Sequence, residues 1–359
     1  MFKNKAIAIV AMIVMMIGAL LVTACSSSDP SSEDGRMVRM PIVLAIPAND
    51  ASLTAGAAGA KATRAEGDPG TYEKFELPKY LYIYLLNTSI DGTRTTLLEP
   101  EGMNGATGYP LDKDKWVKTT TQDSNKDSIY TYTDEIRIII PEDRSKGVVY
   151  AAMSTVPITV NGVPERGTST DAATIEKATF ALGSDATGKE SEALKNLYSS
   201  PYNLLKDNHY YGTVSDYSSN SPYINMVLYH VASKLDVQWN VDASVQDKVK
   251  LSKITLTKLS SSGKLFKPLE NTAPPSESTA YSETFTLDEG NQWYGRKATY
   301  VIPVKQSDGT YQFPMTLTNS LGSEENKDKT TTATATPSAT AKAVFVPWIY
   351  GTVKVTKWP

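Results

Sequence analysis

Few side chains in this 359-residue sequence are suited to catalysis, and their spacing assembles no reaction centre. The two histidines, His209 and His230, have no cysteine or second histidine at ligand spacing, which argues against zinc. His230 lies in an apolar stretch, where a hydrogen-bonded core or surface imidazole accounts for it. Asp123, Asn125, Asp127 and Asp134 fall at the offsets of a helix-flanked calcium loop. Ser128 stands where that loop needs glycine, Asp134 where it needs a bidentate glutamate, and strand signals flank the string instead of helices. A solvated hairpin loop without metal is the expectation. No nucleophile elbow, phosphate-cradling glycine loop or dinucleotide fingerprint is present. The sequence therefore predicts neither enzymatic activity nor a cofactor.

Two other residues invite chemistry performed by other proteins. Lys3 and Lys5 precede an almost unbroken apolar run over residues 6–22, typical of a secretory signal and marginal as a membrane span. The run ends in Val22-Thr23-Ala24-Cys25, which resembles the lipobox of bacterial lipoproteins. That resemblance implies removal of residues 1–24 as a signal peptide and acylation of Cys25, with chains such as palmitate. Two or more chains anchor stably where one is marginal. The alternative is an ordinary signal followed by a chance cysteine. Ser26, Asp29, Glu33 and Asp34 resemble the export signals of outer-membrane and surface lipoproteins. Cys25 is the only cysteine, so the chain forms no internal disulfide and must be stabilised by its core. The second residue is Arg64, exposed in the Ala/Gly-rich stretch KATRAEGDPG. The alternative reading is an incidental charge in a linker.

The elements around Arg64 are mostly strands. Residues 37–47, MVRMPIVLAIP, place Val38, Met40, Ile42, Leu44 and Ile46 on one face at period two. After this strand, NDASLTAGAAGAKATR has no periodicity and reads as an exposed linker. LPKYLYIYLL (77–86) is apolar on both faces, and further strands are expected over 129–140 and 147–155. SEALKNLYSSPYNLLKD (191–207) is the single helical expectation, interrupted by Pro201. YINMVLYHVASKLDVQWNV (223–241) should bend near Ala232-Ser233, and short strands are expected at 250–259, 281–288, 298–304 and 311–318. Residues 319–342 are of low complexity and are expected to be mobile. The chain then ends in AVFVPWIYGTVKVTKWP, where Ile349, Val353 and Val355 share one face and Trp348, Tyr350, Thr352 and Lys354 the other. Twenty tyrosines against seven phenylalanines suit half-exposed strands. This pattern of short strands and frequent turns predicts an all-β fold of antiparallel sandwiches. A net charge of −3 and a pI near 5.6 supply no basic field for nucleic acid.

A lipobox, a strand-bearing leader, an exposed arginine and then GDPGTYEKFELPKYLYIYLL resemble, in that order, the fimbrillins of type V pili from Bacteroidetes-type bacteria. YHVASKLDVQWNV is similar to the first strands of that family's second domain, and the resemblance spans nearly the whole chain. It implies two transthyretin-like β-sandwich domains with one short helical insertion, at residues 65–225 and 226–359, preceded by a lipid-anchored leader over 25–64. It implies an outer-membrane lipoprotein precursor, an arginine-specific protease that cuts between Arg64 and Ala65, and a mature surface fimbria of 65–359. Arg36, Arg39 and Lys61 are competing basic sites, although cleavage at Arg36 or Arg39 would leave the apolar leader face in place. The partners implied are other pilin subunits, including tip or anchor pilins. The terminal strand bearing Trp348, Ile349, Tyr350, Val353 and Val355 would be donated to the groove that the leader vacates. Burial of the five leader side chains at roughly 1.5–3 kcal/mol each gives about 8–15 kcal/mol as an upper bound. The removed leader would leave an open edge suited to β-augmentation. Two other functions fit the same sequence: a surface lipoprotein that binds glycan or host protein through Trp116, Trp239 or Trp293, and a tip or anchor pilin. For the pilus subunit, the resemblance also implies a role in adhesion and in biofilm or host colonisation.

Overall fold

The computed structural model describes residues 36–47, 76–89, 91–103, 108–120, 128–140, 144–200, 213–214, 224–308, 311, 313–319, 330–335, 337–340 and 349–355. The first strands are β1 (Arg36–Pro47), β2 (Tyr80–Ser89), β3 (Thr95–Leu98), β4 (Tyr109–Pro110), β5 (Trp116–Thr120), β6 (Ser128–Ile140), β7 (Arg144–Ser154) and β8 (Ile158–Asn161). Helix α1 (Ala172–Glu176), β9 (Thr179–Leu182), helix α2 (Glu190–Lys195), β10 (Tyr198–Ser199), β11 (Thr213–Val214), β12 (Ile224–Val227) and β13 (Tyr229–His230) follow. The remaining strands are β14 (Ser233–Val241), β15 (Leu251–Ser260), β16 (Ser262–Lys264), β17 (Ala280–Thr286), β18 (Tyr294–Val301), β19 (Phe313–Asn319), β20 (Thr330–Ala335), β21 (Pro337–Thr340) and β22 (Ile349–Val355). The all-β expectation holds: the sheets are mostly antiparallel and the helices short.

Three apolar clusters organise these strands. An 11-stranded sheet runs β13-β10-β7-β11-β12-β1-β6-β5, with β2 paired to β7, β3 and β4. Its main core gathers the apolar faces of β1, β2, β6, β7 and β12. The second cluster lies between two four-stranded sheets, β18-β14-β22-β21 and β17-β15-β19-β20, and forms a β-sandwich. There Leu235, Val237, Trp239 and Val241 of β14 meet Ile254 and Leu256 of β15. The chain passes from the first sheet to this sandwich at Val231-Ala232, the bend expected from the sequence.

The third cluster explains why β2 is apolar on both faces. Leu81, Ile83 and Leu85 enter the first core, while Tyr82, Tyr84 and Leu86 enter a different one with Phe266, Tyr300 and Ile302. Residues from both ends of the chain thus share a core. Backbone pairing joins them as well, because β16 pairs antiparallel with β9 in the three-stranded sheet β16-β9-β8. Glu176, buried on α1, accepts from the Tyr150 hydroxyl at 3.2 Å and pairs with Lys267 Nζ at 3.2 Å.

The structure departs from the sequence reading in three places. The helix expected over 191–207 ends at Lys195, because Tyr198 and Ser199 are drawn into the sheet between β7 and β13; residues 201–207 lie outside the described residues. Helix α1 was not anticipated, although Asp171 carries its signal: the carboxylate accepts from the Thr174 N–H at 2.8 Å, an N-cap. Within the segment expected to be mobile, Thr330–Ala335 pairs with β19 and Pro337–Thr340 with β22. The β-branched threonines of that segment favour extended pairing.

The Glu176–Lys267 pair gives a direct test of how the shared core is held. Lys267→Met should lower stability by about 1–3 kcal/mol, because a buried carboxylate loses its charge partner. The double variant Glu176→Gln/Lys267→Met should lose less than the sum of the single changes. Urea unfolding of the four proteins measures the difference; strict additivity would show that the pair contributes nothing.

Candidate functional site: the leader-strand groove

β1 carries the five apolar leader residues singled out in the sequence. Its alternation buries Val38, Met40, Ile42, Leu44 and Ile46 in the main core, the last four with no exposed surface. They pack among Ile136 and Ile138 of β6, Met226 of β12 and Ile83 of β2. All twelve residues pair antiparallel with β6, from Arg36 opposite Ile140 to Pro47 opposite Ile129. On its other edge, Ile42 to Ala45 run parallel to β12, opposite Ile224 to Val227. The Leu228 N–H closes this edge by donating to the Ala45 carbonyl at 2.8 Å.

The parallel partner was not legible in the leader sequence, but one sign of it was present. Val43 and Ala45, on the face opposite the five core residues, are also buried, and residues 42–46 form a continuous apolar run. Such runs mark strands covered on both faces. Arg39 remains exposed and forms a 3.4 Å ion pair with Glu135, a contact of little energetic weight in solvent.

The β6 wall of the groove is braced independently of β1. Tyr132, fully buried and opposite Leu44 in register, donates its hydroxyl proton to Asp134 Oδ2 at 2.8 Å and accepts from the Asp112 N–H at 3.3 Å. Asp134 also pairs with Lys115, which lies in the 3₁₀ turn Lys113–Lys115 ahead of β5. Burial pushes the Asp134 carboxyl up, but its bonds from Lys115, Tyr132 and the Glu135 N–H outweigh burial and leave it below the usual carboxylate range. Trp116 completes the brace, 5.3 Å from the Tyr132 ring. Asp134 therefore serves this network in mid-strand; Asp123, Asn125 and Asp127 lie outside the described residues.

The tryptophans weighed as binding platforms are mostly structural. Trp239 is buried in the sandwich and donates to the Asn291 carbonyl at 2.8 Å. Trp116 packs against the main core, and Trp293, 38% exposed, donates to the Val249 carbonyl at 3.0 Å. His230 is half-buried, its ring 4.6 Å from that of Tyr198 and 6.2 Å from that of Tyr300. Burial, partly offset by a hydrogen bond to the Lys195 backbone, lowers its pKa to about 4. His209 lies outside the described residues.

The terminal strand occupies a second slot. β22 lies between β14 and β21, with Ile349 to Val355 parallel to Leu235 to Val241 and the β21 pairing antiparallel. Ile349, Val353 and Val355 take the register positions of Leu235, Trp239 and Val241, and Tyr350 that of Asp236. Cys25, Arg64, Ala65 and Trp348 lie outside the described residues.

No protein-family model and no curated protein matches the sequence. Solved structures do. The chain is similar to a fimbrial assembly protein from Parabacteroides distasonis, at 13% identity and a TM-score of 0.39, over 89% of this chain and 92% of that one. It is similar to a candidate cell adhesion protein from Bacteroides uniformis, at 15% identity and 0.35, over 92% and 95%. The fimbrial anchor protein Mfa2 from Porphyromonas gingivalis matches at 9% identity and 0.28, over 82% of each chain.

Two measurements check the site's energetics. In the uncleaved chain, Leu44→Ala should cost about 2–5 kcal/mol as a buried truncation, and Arg39→Ala less than about 1 kcal/mol. Equal losses on chemical denaturation would contradict the placement of β1. For His230, the depressed pKa means that the folded state binds fewer protons than the unfolded chain. Its neutral-form stability is complete above about pH 6.5 and declines as pH falls toward 4. His230→Phe should flatten the pH dependence of Tm over that window; an unchanged slope would remove the assignment.

Proposed function

We propose that this protein is a structural subunit of a surface fimbria, exported as an outer-membrane lipoprotein, cleaved after Arg64 and polymerised by β-strand exchange. The observation that carries the reading is the position of β1. A segment from the far amino-terminal side of Arg64 fills the interior of a sheet, with its whole apolar face in the core. Ordinary folds place such a strand under the control of a short connection; here residues 48–79 intervene before β2, and Arg64 falls among them. Cleavage there turns an interior strand into a separable one, and its loss exposes backbone donors and acceptors on both β6 and β12. An extended segment of another subunit satisfies both.

β22 is the donor. Its present slot has one parallel and one antiparallel neighbour, the same combination of directions that β1 finds between β12 and β6. A strand that leaves its own sheet and enters a neighbour's groove gives a head-to-tail contact, which does not close on itself and so extends into a filament. The reading as a surface lipoprotein that binds through tryptophans is less well supported, because Trp239 is buried and Trp116 and Trp293 are engaged in local packing and hydrogen bonding.

An arginine-specific protease should trim the purified precursor to a stable body beginning at Ala65, and that body should form a size ladder without denaturant. Arg64→Ala should abolish both. Deletion of residues 348–359 should preserve trimming and a near-native Tm while eliminating the ladder. Mature polymers that retain residues 37–47, or a truncated body whose Tm collapses, would refute exchange by these strands.

A further inference from the structure

β1 bridges the two parts of the chain that the proposed cleavage would part. Cys25 and β1 lie on one side of Arg64, and everything from β2 onward on the other. A cut after Arg64 removes the covalent link between the anchor and the body. It breaks none of the contacts that hold β1: the full antiparallel register with β6, the parallel register with β12 and the five buried side chains all remain. Cutting converts an intramolecular association into a bimolecular one and lowers the effective concentration of the strand. The strand is nevertheless already seated, and it departs only by unzipping that register; its lifetime is governed by dissociation.

We propose that β1 is a non-covalent membrane pin: after cleavage the body stays attached to the lipid-bearing leader through the groove, and it leaves the membrane only when another strand displaces β1. The inference rests on the acylation of Cys25 and the cleavage at Arg64 proposed above. One groove cannot hold β1 and a donor together, so release from the membrane and addition to a filament become the same event. While β1 is seated it covers Ile136, Ile138 and Ile140 of β6, which are buried beneath it.

The test uses the full-length acylated precursor inserted into phosphatidylcholine vesicles. It is cut with an arginine-specific protease, the new terminus at Ala65 is verified by sequencing, and the vesicles are floated. The body should float with the vesicles after complete cleavage. A synthetic peptide of residues 343–359 should release it in a concentration-dependent way, whereas the same peptide carrying Ile349→Asp and Val353→Asp should not. Met40→Ala in the leader should speed peptide-driven release severalfold. Body cut from a Cys25→Ala precursor, which carries no lipid, should not float when mixed with bare vesicles, and flotation there would overturn the pin by assigning retention to another cause. Release on cleavage alone, at a rate indifferent to peptide, also overturns it. If that released body then forms a ladder, strand exchange survives and the pin alone fails; if it forms none and binds no peptide, the exchange reading fails too.

Discussion

The structure depends most on the seating of β1 between β6 and β12. Among the described strands it is the only one that joins the β5–β6 ribbon to the rest of the 11-stranded sheet. Without it, β6 keeps a single backbone bond to the remainder outside that ribbon among those described, from the Glu101 N–H to the Arg137 carbonyl at 2.8 Å, apart from its chain connection to β7. The magnitudes make this decisive. Burial of five large apolar side chains contributes about 8–15 kcal/mol as an upper bound, and whole domains are stable by only about 5–15 kcal/mol. A body that lost β1 without replacement would carry an open core along β2, β6 and β12. Substitution by another strand is thus physically favoured over simple loss, and the Tyr132–Asp134–Lys115 brace keeps one wall of the groove in place for it.

The shared core behind β2 and β7 ties the first sheet to the sandwich. Tyr82, Tyr84 and Tyr150 face Phe266 and Tyr300 there, and the Ser199 hydroxyl donates to the Leu265 carbonyl at 2.7 Å. With the β9–β16 pairing, these contacts bind the amino-terminal sheet to the sandwich that carries β22. β2 belongs to both cores through its alternate residues, so the groove and the shared core are built on opposite faces of the same strand.

How much of this was legible varied with the physics of each element. The leader face and the two-sided character of 77–86 were readable because burial imposes period two, or its absence, on one strand's own sequence. The parallel pairing of β1 with β12 was not, since a strand's alternation says which face is buried and nothing about which neighbour it meets or in which direction. The same limitation hid β20 and β21, whose polar Thr/Ala composition resembles that of a linker while pairing supplies what the composition lacks. Helix α1 was missed because five residues are too few to show a helical period, and only the Asp171 cap marks it. Trp239 illustrates a further gap. An aromatic side chain reads alike as a ligand platform or as core until its neighbours are known, and here they are the residues of the sandwich interior.

Strand direction connects the two ends of the molecule. β1 and β22 each lie beside one parallel and one antiparallel neighbour, a mixed environment unusual in sheets that are otherwise antiparallel. In both places the parallel neighbour belongs to the stretch 224–241, which supplies β12 to one sheet and β14 to the other with a bend between. That stretch is therefore the common template against which both terminal strands are aligned. A strand suited to run parallel beside β14 already has the polarity required beside β12 and the span to occupy its four paired positions, since β22 is seven residues long.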